Sequence, residues 1–201
     1  MLRSIAQLFF RYRSYTPIPL VVALFLLSAA DEVYLLAGVG VAAVGEALRI
    51  WALRHAGPKT RSHRKIRVDD LVVTGPYSLI RNPLYIGNFV ISVGVCIASG
   101  QPLLIFPLVV VFGIQYSLII RAEEEFLEQA IGEAYRKYRE SVPRLIPHFH
   151  GYRSGDHRFP LREILPRELN TIAAIETVLA LVGLPILFPG LSAYLPMLPG
   201  S

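Results

Sequence analysis

Five windows of this chain, Pro17–Ala30, Val33–Leu53, Leu84–Ser99, Leu103–Ile120 and Thr171–Phe188, are apolar and nearly free of charge. A helix needs roughly 20 such residues to cross the hydrocarbon core of a bilayer. Of the 201 residues, 53% are hydrophobic and 17% charged, so the chain has more apolar surface than one soluble domain of this length can bury. These windows predict an all-α, polytopic membrane bundle of about five transmembrane helices. Gly100-Gln101-Pro102 is the only separation between the third and fourth windows, which makes them a tight hairpin. The single cysteine, Cys96, lies inside a window and has no disulfide partner.

The positive charges fix an expected orientation, because lysine and arginine stay on the cytoplasmic flank. Arg3, Arg11 and Arg13 precede the first window, Arg54 to Arg67 follow the second, and Arg121 to Arg167 lie between the fourth and fifth. Arg49 and Arg81 adjoin the same segments, while Asp31-Glu32, the hairpin turn and the C-terminal tail contain no lysine or arginine. The N-terminus is therefore expected inside and the C-terminus outside. The net charge of +5 is accounted for as a cytoplasmic membrane flank, which argues against nucleic-acid binding. Arg3 to Arg13, the first window and Ser28-Ala29-Ala30 also mimic a signal peptide, but cleavage would remove the first anchor of this topology.

The polar segments beside the windows are where chemistry is expected. Gly75-Pro-Tyr77-Ser-Leu-Ile-Arg81-Asn82-Pro83-Leu84-Tyr85 leads into the third window. Pro83 restricts Asn82 to extended backbone, so the chain enters the membrane surface irregularly. Irregular backbone at that depth needs protein or a water-filled cavity around it, which predicts a pocket. The plainer reading makes Tyr77 and Tyr85 interfacial aromatics and places Arg81 on lipid phosphate. After the fourth window, Arg121-Ala-Glu123-Glu124-Glu125 and the spacing through Ile131, Tyr135 and Tyr138 predict an amphipathic helix along the cytoplasmic face. Its charges also suit a helix dipole, but three glutamates at an anionic membrane surface fit better facing a cationic ligand.

Together, the Gly75–Gly87 segment, Glu123-Glu124 and Gly132-x-x-Tyr135-x-x-Tyr138-x-x-x-Val142-Pro143 resemble the isoprenylcysteine carboxyl methyltransferase and phospholipid methyltransferase superfamily over residues 45 to 149. The resemblance implies an S-adenosylmethionine-dependent integral membrane methyltransferase. It implies cofactor contacts from Leu71, Val72, Val73, Tyr77, Asn82, Pro83, Leu84, Tyr85 and Glu123, with Glu124 as the near alternative; Arg81, Glu124 and Tyr85 are the candidate catalytic residues. It implies a lipid or prenylated acceptor, with no metal and no nucleic acid as partner. Asn82 stands where the family motif has histidine, so no imidazole can carry charge there. The register of a substrate-holding arginine is occupied by Ile119, with Arg121 displaced from it.

Methyl transfer requires alignment and exclusion of water rather than a covalent nucleophile. A carboxylate acceptor would use a cationic clamp such as Arg81 or Arg121. An amine acceptor would give a proton to Glu123, Glu124 or Tyr85. Both remain open on these residues. Glu46 and Arg49, three apart, are expected to pair within the second window. Glu176 in the fifth is expected either in a substrate cavity or in a buried interhelical hydrogen bond. His55, His63, His148, His150 and His157 show no metal-ligand spacing. A nicotinamide-dependent reductase resembling the sterol reductases, or a membrane scaffold without activity, are the rival readings. The chain is expected to form one membrane domain over 1–201, with a cofactor-binding core at 45–149 and a connector and last span at 150–201. Within that connector, Pro160 and Pro166 are expected to act as breaks.

Overall fold

The structure is a computed structural model that describes residues 18–57, 71–148, 152 and 158–188. The elements are α1 (Ile18–Leu26), α2 (Glu32–Ala56), a 3-10 turn (Gly75–Ser78), α3 (Pro83–Ala98), a second 3-10 turn (Pro102–Leu104), α4 (Ile105–Ile131), α5 (Glu133–Ser141) and α6 (Leu161–Leu187). Every regular element among the described residues is helical. Asp31 caps α2 by accepting a hydrogen bond from the Tyr34 amide at 2.8 Å. Pro83 opens α3 at a position where its missing N–H costs nothing.

α2 and α3 lie antiparallel with their backbones nearly touching. A Cβ added at Gly94 would stand 2.6 Å from the Ala42 amide nitrogen, and one at Gly45 would stand 2.7 Å from that of Ile91. Where lipid offers no hydrophobic drive between helices, close backbone approach at small residues is a main source of association. α1, α3 and α4 meet in a core of Leu24, Val95, Cys96 and Leu108, joined by Phe89, Phe112 and Val178 of α6.

Two described helices, Glu32–Ala56 and Pro102–Ile131, are long and apolar enough to cross a membrane. Their outer faces leave Leu36 72% and Phe106 81% exposed, a surface that suits lipid rather than water. The turns segregate by charge. At one end, Ala29 N–H donates to Ser99 O at 2.9 Å, Gln101 Nε2 to Leu27 O at 2.8 Å, and Ser28 Oγ to Val182 O at 2.9 Å. At the opposite, arginine-bearing end, the Arg81, His148 and Phe159 amides donate to Pro143, Leu79 and Arg54 carbonyls at 2.9, 3.1 and 2.7 Å.

Three expectations are revised. The helix expected to lie separately after the fourth window is continuous with it to Ile131, because a change from apolar to charged side chains leaves the backbone ladder intact. The break comes at Gly132, whose φ of 72° suits a residue without Cβ, and α5 follows. Pro160 and Pro166 do not interrupt the connector: Pro160 caps α6, and Pro166 lies within its first turns, so the helix starts ten residues before Thr171. Glu176 is exposed rather than buried between helices. The start of the first window, the basic loop with His63, and His150 and His157 lie outside the described residues.

Candidate functional site

At the arginine-bearing end, three segments converge on Glu124. The backbone of Arg81 is held by Pro143, and its Nη2 lies 3.4 Å from Glu124 Oε1. Arg144 grips the same carboxylate with both arms, Nε to Oε1 at 3.1 Å and Nη2 to Oε2 at 2.5 Å. Such two-armed, charge-assisted pairs are among the stronger protein hydrogen bonds. Glu124 thus ties α4 to the chain after α5 and to the entry of α3. The hydrogen bond from Arg144 holds that guanidinium still more firmly in its protonated form.

Arg81 is not exhausted by this contact. Its side chain is 10% exposed, yet Nε and Nη1 are buried without a hydrogen-bond acceptor among the described residues. A buried guanidinium N–H without an acceptor is costly, and an anionic oxygen is the kind of group that satisfies it best. Next to Glu124 in sequence, Glu123 accepts a hydrogen bond from Tyr85 Oη at 2.8 Å. The Tyr85 ring meets Tyr116 at 4.6 Å between centroids, and Tyr116 stacks on Phe112 at 3.9 Å. An arginine with unused donors and a Tyr85–Glu123 pair backed by stacked aromatic rings therefore lie near the start of α3.

The remaining expected contacts divide. Leu71 and Val73 pack against Ile131, Tyr135, Tyr138 and Val142 at the α4–α5 corner. Tyr138 Oη donates to Tyr77 O at 2.8 Å, binding that corner to the 3-10 turn. Burial and the neighbouring Glu123 charge push the Tyr77 hydroxyl upward, keeping it neutral. Burial, with Glu124 adding to it, pushes Tyr135 up to about 12. Asn82 spends its amide on Arg144 O at 3.1 Å, a structural use of the position where the sequence suggested a cofactor contact. Pro83 is buried at the head of α3, and Val72 and Leu84 are each half-buried. Arg121, the alternative clamp, is exposed.

One turn further into the apolar layer lies a second polar cluster. Arg49 and Glu46 approach at 3.3 Å, as their spacing predicts, and Arg49 Nη2 also reaches Glu168 of α6 at 2.5 Å. Arg49 Nη1 donates to Asn88 Oδ1, and Asn88 Nδ2 donates to Tyr116 Oη at 3.3 Å. Arg144, Asn88, Tyr116 and Glu168 escaped the sequence reading. Asn88 had a legible signal, being polar inside an apolar window one turn beyond Tyr85. Among the described residues no three His, Cys, Asp or Glu side chains gather as metal ligands.

Residues 33–134, half of the chain, match the family model described as phospholipid methyltransferase. The chain belongs to that family. It is 35% identical over 118 residues to the nickel-cobalt-cadmium resistance protein NccN of Alcaligenes xylosoxydans xylosoxydans, covering 58% of this chain and 50% of the relative. To the protein-S-isoprenylcysteine O-methyltransferase of Schizosaccharomyces pombe it is 32% identical over 127 residues, covering 61% and 53%. To the Arabidopsis thaliana protein-S-isoprenylcysteine O-methyltransferase B it is 32% identical over 113 residues, covering 55% and 57%. The chain thus spans about half the length of the curated relatives it matches. No solved structure matches it. The family match takes in Arg81, Tyr85, Glu123 and Glu124 but ends before Arg144 and Glu168.

Proposed function

We propose that this protein is an integral membrane methyltransferase that uses S-adenosylmethionine to methylate a lipid-like acceptor. The observation that carries this reading is the buried, incompletely used guanidinium of Arg81 held at Glu124, the sequence neighbour of the Glu123 that pairs with Tyr85. In this reading the carboxylate of the cofactor's methionine part meets Arg81, its ammonium meets Glu123, and apolar side chains of the Leu71–Val73 segment with Tyr77 enclose its adenine. When bound, the cofactor supplies a methyl group on a sulfonium. Arg81 and Glu123 fix its orientation, and the Tyr85–Tyr116–Phe112 wall keeps water from the acceptor side. Glu124, gripped by two arginines, acts as the post that positions Arg81 rather than as a proton acceptor.

The same reading takes the chain as one domain of five spans, N-terminus inside and C-terminus outside, with the site at the cytoplasmic face. α5 lies along that face. The separation of arginine-bearing and charge-poor turns supports this topology. The test is transfer of a labelled methyl group from S-adenosylmethionine into lipid extracts by purified protein in vesicles. Label should enter the lipid fraction with wild type and not with Arg81→Met. Absence of label with a folded wild type, across both amine and prenylcysteine acceptors, would refute the reading.

A further inference from the structure

Among the five histidines of the sequence, His55 is the one that the folded chain takes out of water beside the Gly75–Ser78 turn. It lies in the last turn of α2 and is only 3% exposed. An imidazole buried to that degree needs hydrogen bonds, and its Nδ1 is hydrogen-bonded to Thr74 Oγ1 at 2.9 Å. The ring also lies against Gly75, where an added Cβ would stand 2.3 Å from His55 Nε2 and 2.4 Å from Cδ2. Gly75 has a φ of 56°, so both its backbone and its contact with the ring exclude a side chain. The Arg81 and Glu123 contacts make no use of this imidazole.

The two residues that His55 touches supply the carbonyls that close the 3-10 turn. Thr74 O accepts from the Tyr77 amide at 3.1 Å, and Gly75 O accepts from Ser78 Oγ at 2.6 Å. Upstream of Thr74, Leu71 and Val73 pack on the α4–α5 corner; downstream, the Tyr77 carbonyl accepts from Tyr138 Oη of α5. The turn is thus tied to α5 on one side and, through His55, to α2 on the other. Thr74 and Gly75 separate Leu71–Val73 from Tyr77, the groups placed around adenine in the proposed function. Arg81 lies six residues past Gly75 and is fixed independently by Pro143 and Glu124. The influence of the imidazole therefore falls on the adenine side of the site and not on its carboxylate side.

We propose that His55 is a positioning residue for the adenosine part of the methyl donor, acting through Thr74 and Gly75. The inference rests on the methyltransferase reading and deepens it. His55 acts without touching the donor: the Thr74 hydrogen bond and the ring contact with Gly75 set the separation of Leu71–Val73 from Tyr77 before the donor arrives. A slot ordered in advance binds more tightly because less ordering accompanies binding. Loss of the bond lets the turn shift against α2. The effect appears as weaker affinity for any ligand that carries adenosine, whether or not it carries the amino-acid part.

The test is calorimetric titration of the detergent-solubilised full chain with two ligands: S-adenosylhomocysteine, and methylthioadenosine, which has the adenosine without the amino-acid part. Thr74→Val keeps the shape of the side chain and loses the hydroxyl, and it should weaken both ligands about fivefold. His55→Phe should do the same, and the double variant should lose no more than either single one. His55→Asn, whose side-chain amide can hydrogen-bond Thr74 Oγ1, should restore both affinities to within about twofold of wild type. Arg81→Met, in contrast, should weaken S-adenosylhomocysteine and leave methylthioadenosine unchanged. If His55→Phe fails to fold, Thr74→Val decides. Wild-type affinity for both ligands in folded Thr74→Val, or a loss confined to S-adenosylhomocysteine, would overturn the inference while leaving the methyltransferase reading intact. A folded wild type that binds neither ligand would defeat both.

Discussion

Two buried arginines differ in how fully the protein uses their guanidinium groups. Arg49 divides its guanidinium among Glu46, Asn88 and Glu168 from three different helices. Arg81 gives one nitrogen to Glu124, whose carboxylate is already gripped by Arg144, and keeps Nε and Nη1 without an acceptor. The first arginine has both terminal nitrogens taken by Asn88 and Glu168 and sets only its Nε against Glu46 without a hydrogen bond. The second is held in place by its neighbours and retains donors for something else. The lesson is that burial of a charge does not by itself mark a site; what distinguishes one is hydrogen-bonding capacity that the protein leaves unused.

The comparison breaks most visibly at Arg49. Arg49→Met takes the cation away from buried Glu46 and Glu168, and removing one partner of such a pair costs roughly 3–5 kcal/mol. Denaturation in detergent should show that loss, while the affinity for S-adenosylmethionine of the protein that remains folded stays close to wild type. Arg81→Met should show the reverse pattern. Glu124 keeps Arg144, so stability falls little, but cofactor affinity drops by about 1.5–3 kcal/mol, the worth of a hydrogen bond to a charged group. A large stability loss at Arg81 with unchanged affinity would erase the distinction.

Glu123→Gln probes the neighbour of the pinned carboxylate and should weaken cofactor binding by about tenfold, with Tyr85 still able to donate to the amide oxygen. Glu124→Gln should instead lower stability, since it loosens both arginines. The smallest effect concerns pH. Burial holds Tyr135 protonated up to about 12, so the stability it contributes is fully present below about pH 10 and is lost as pH rises through 12. Tyr135→Phe should make alkaline unfolding over that window shallower, read by circular dichroism.

The helical character of the apolar windows and the Glu46–Arg49 pair were legible because they depend on neighbours in sequence. Glu168 was not, since it meets Arg49 across 119 positions and lies beside a proline that suggested a break. Arg144 was hidden for a similar reason: its carboxylate partner lies 20 positions back and across the Gly132 turn. Polarity patterning placed a boundary at Arg121 where the helix ladder has none, and only Gly132 supplied one. Asn82 shows the remaining difficulty, because its amide serves the Arg144 carbonyl and the motif position alone did not reveal that use.

The most direct test is calorimetric titration of S-adenosylmethionine, and separately of its demethylated product, into detergent-solubilised wild type, Arg81→Met and Arg49→Met proteins. Saturable binding to wild type, lost in Arg81→Met and retained in folded Arg49→Met, is the predicted result. A folded wild type that binds neither compound would contradict the assignment of Arg81 and Glu123 to a methyl-donor site.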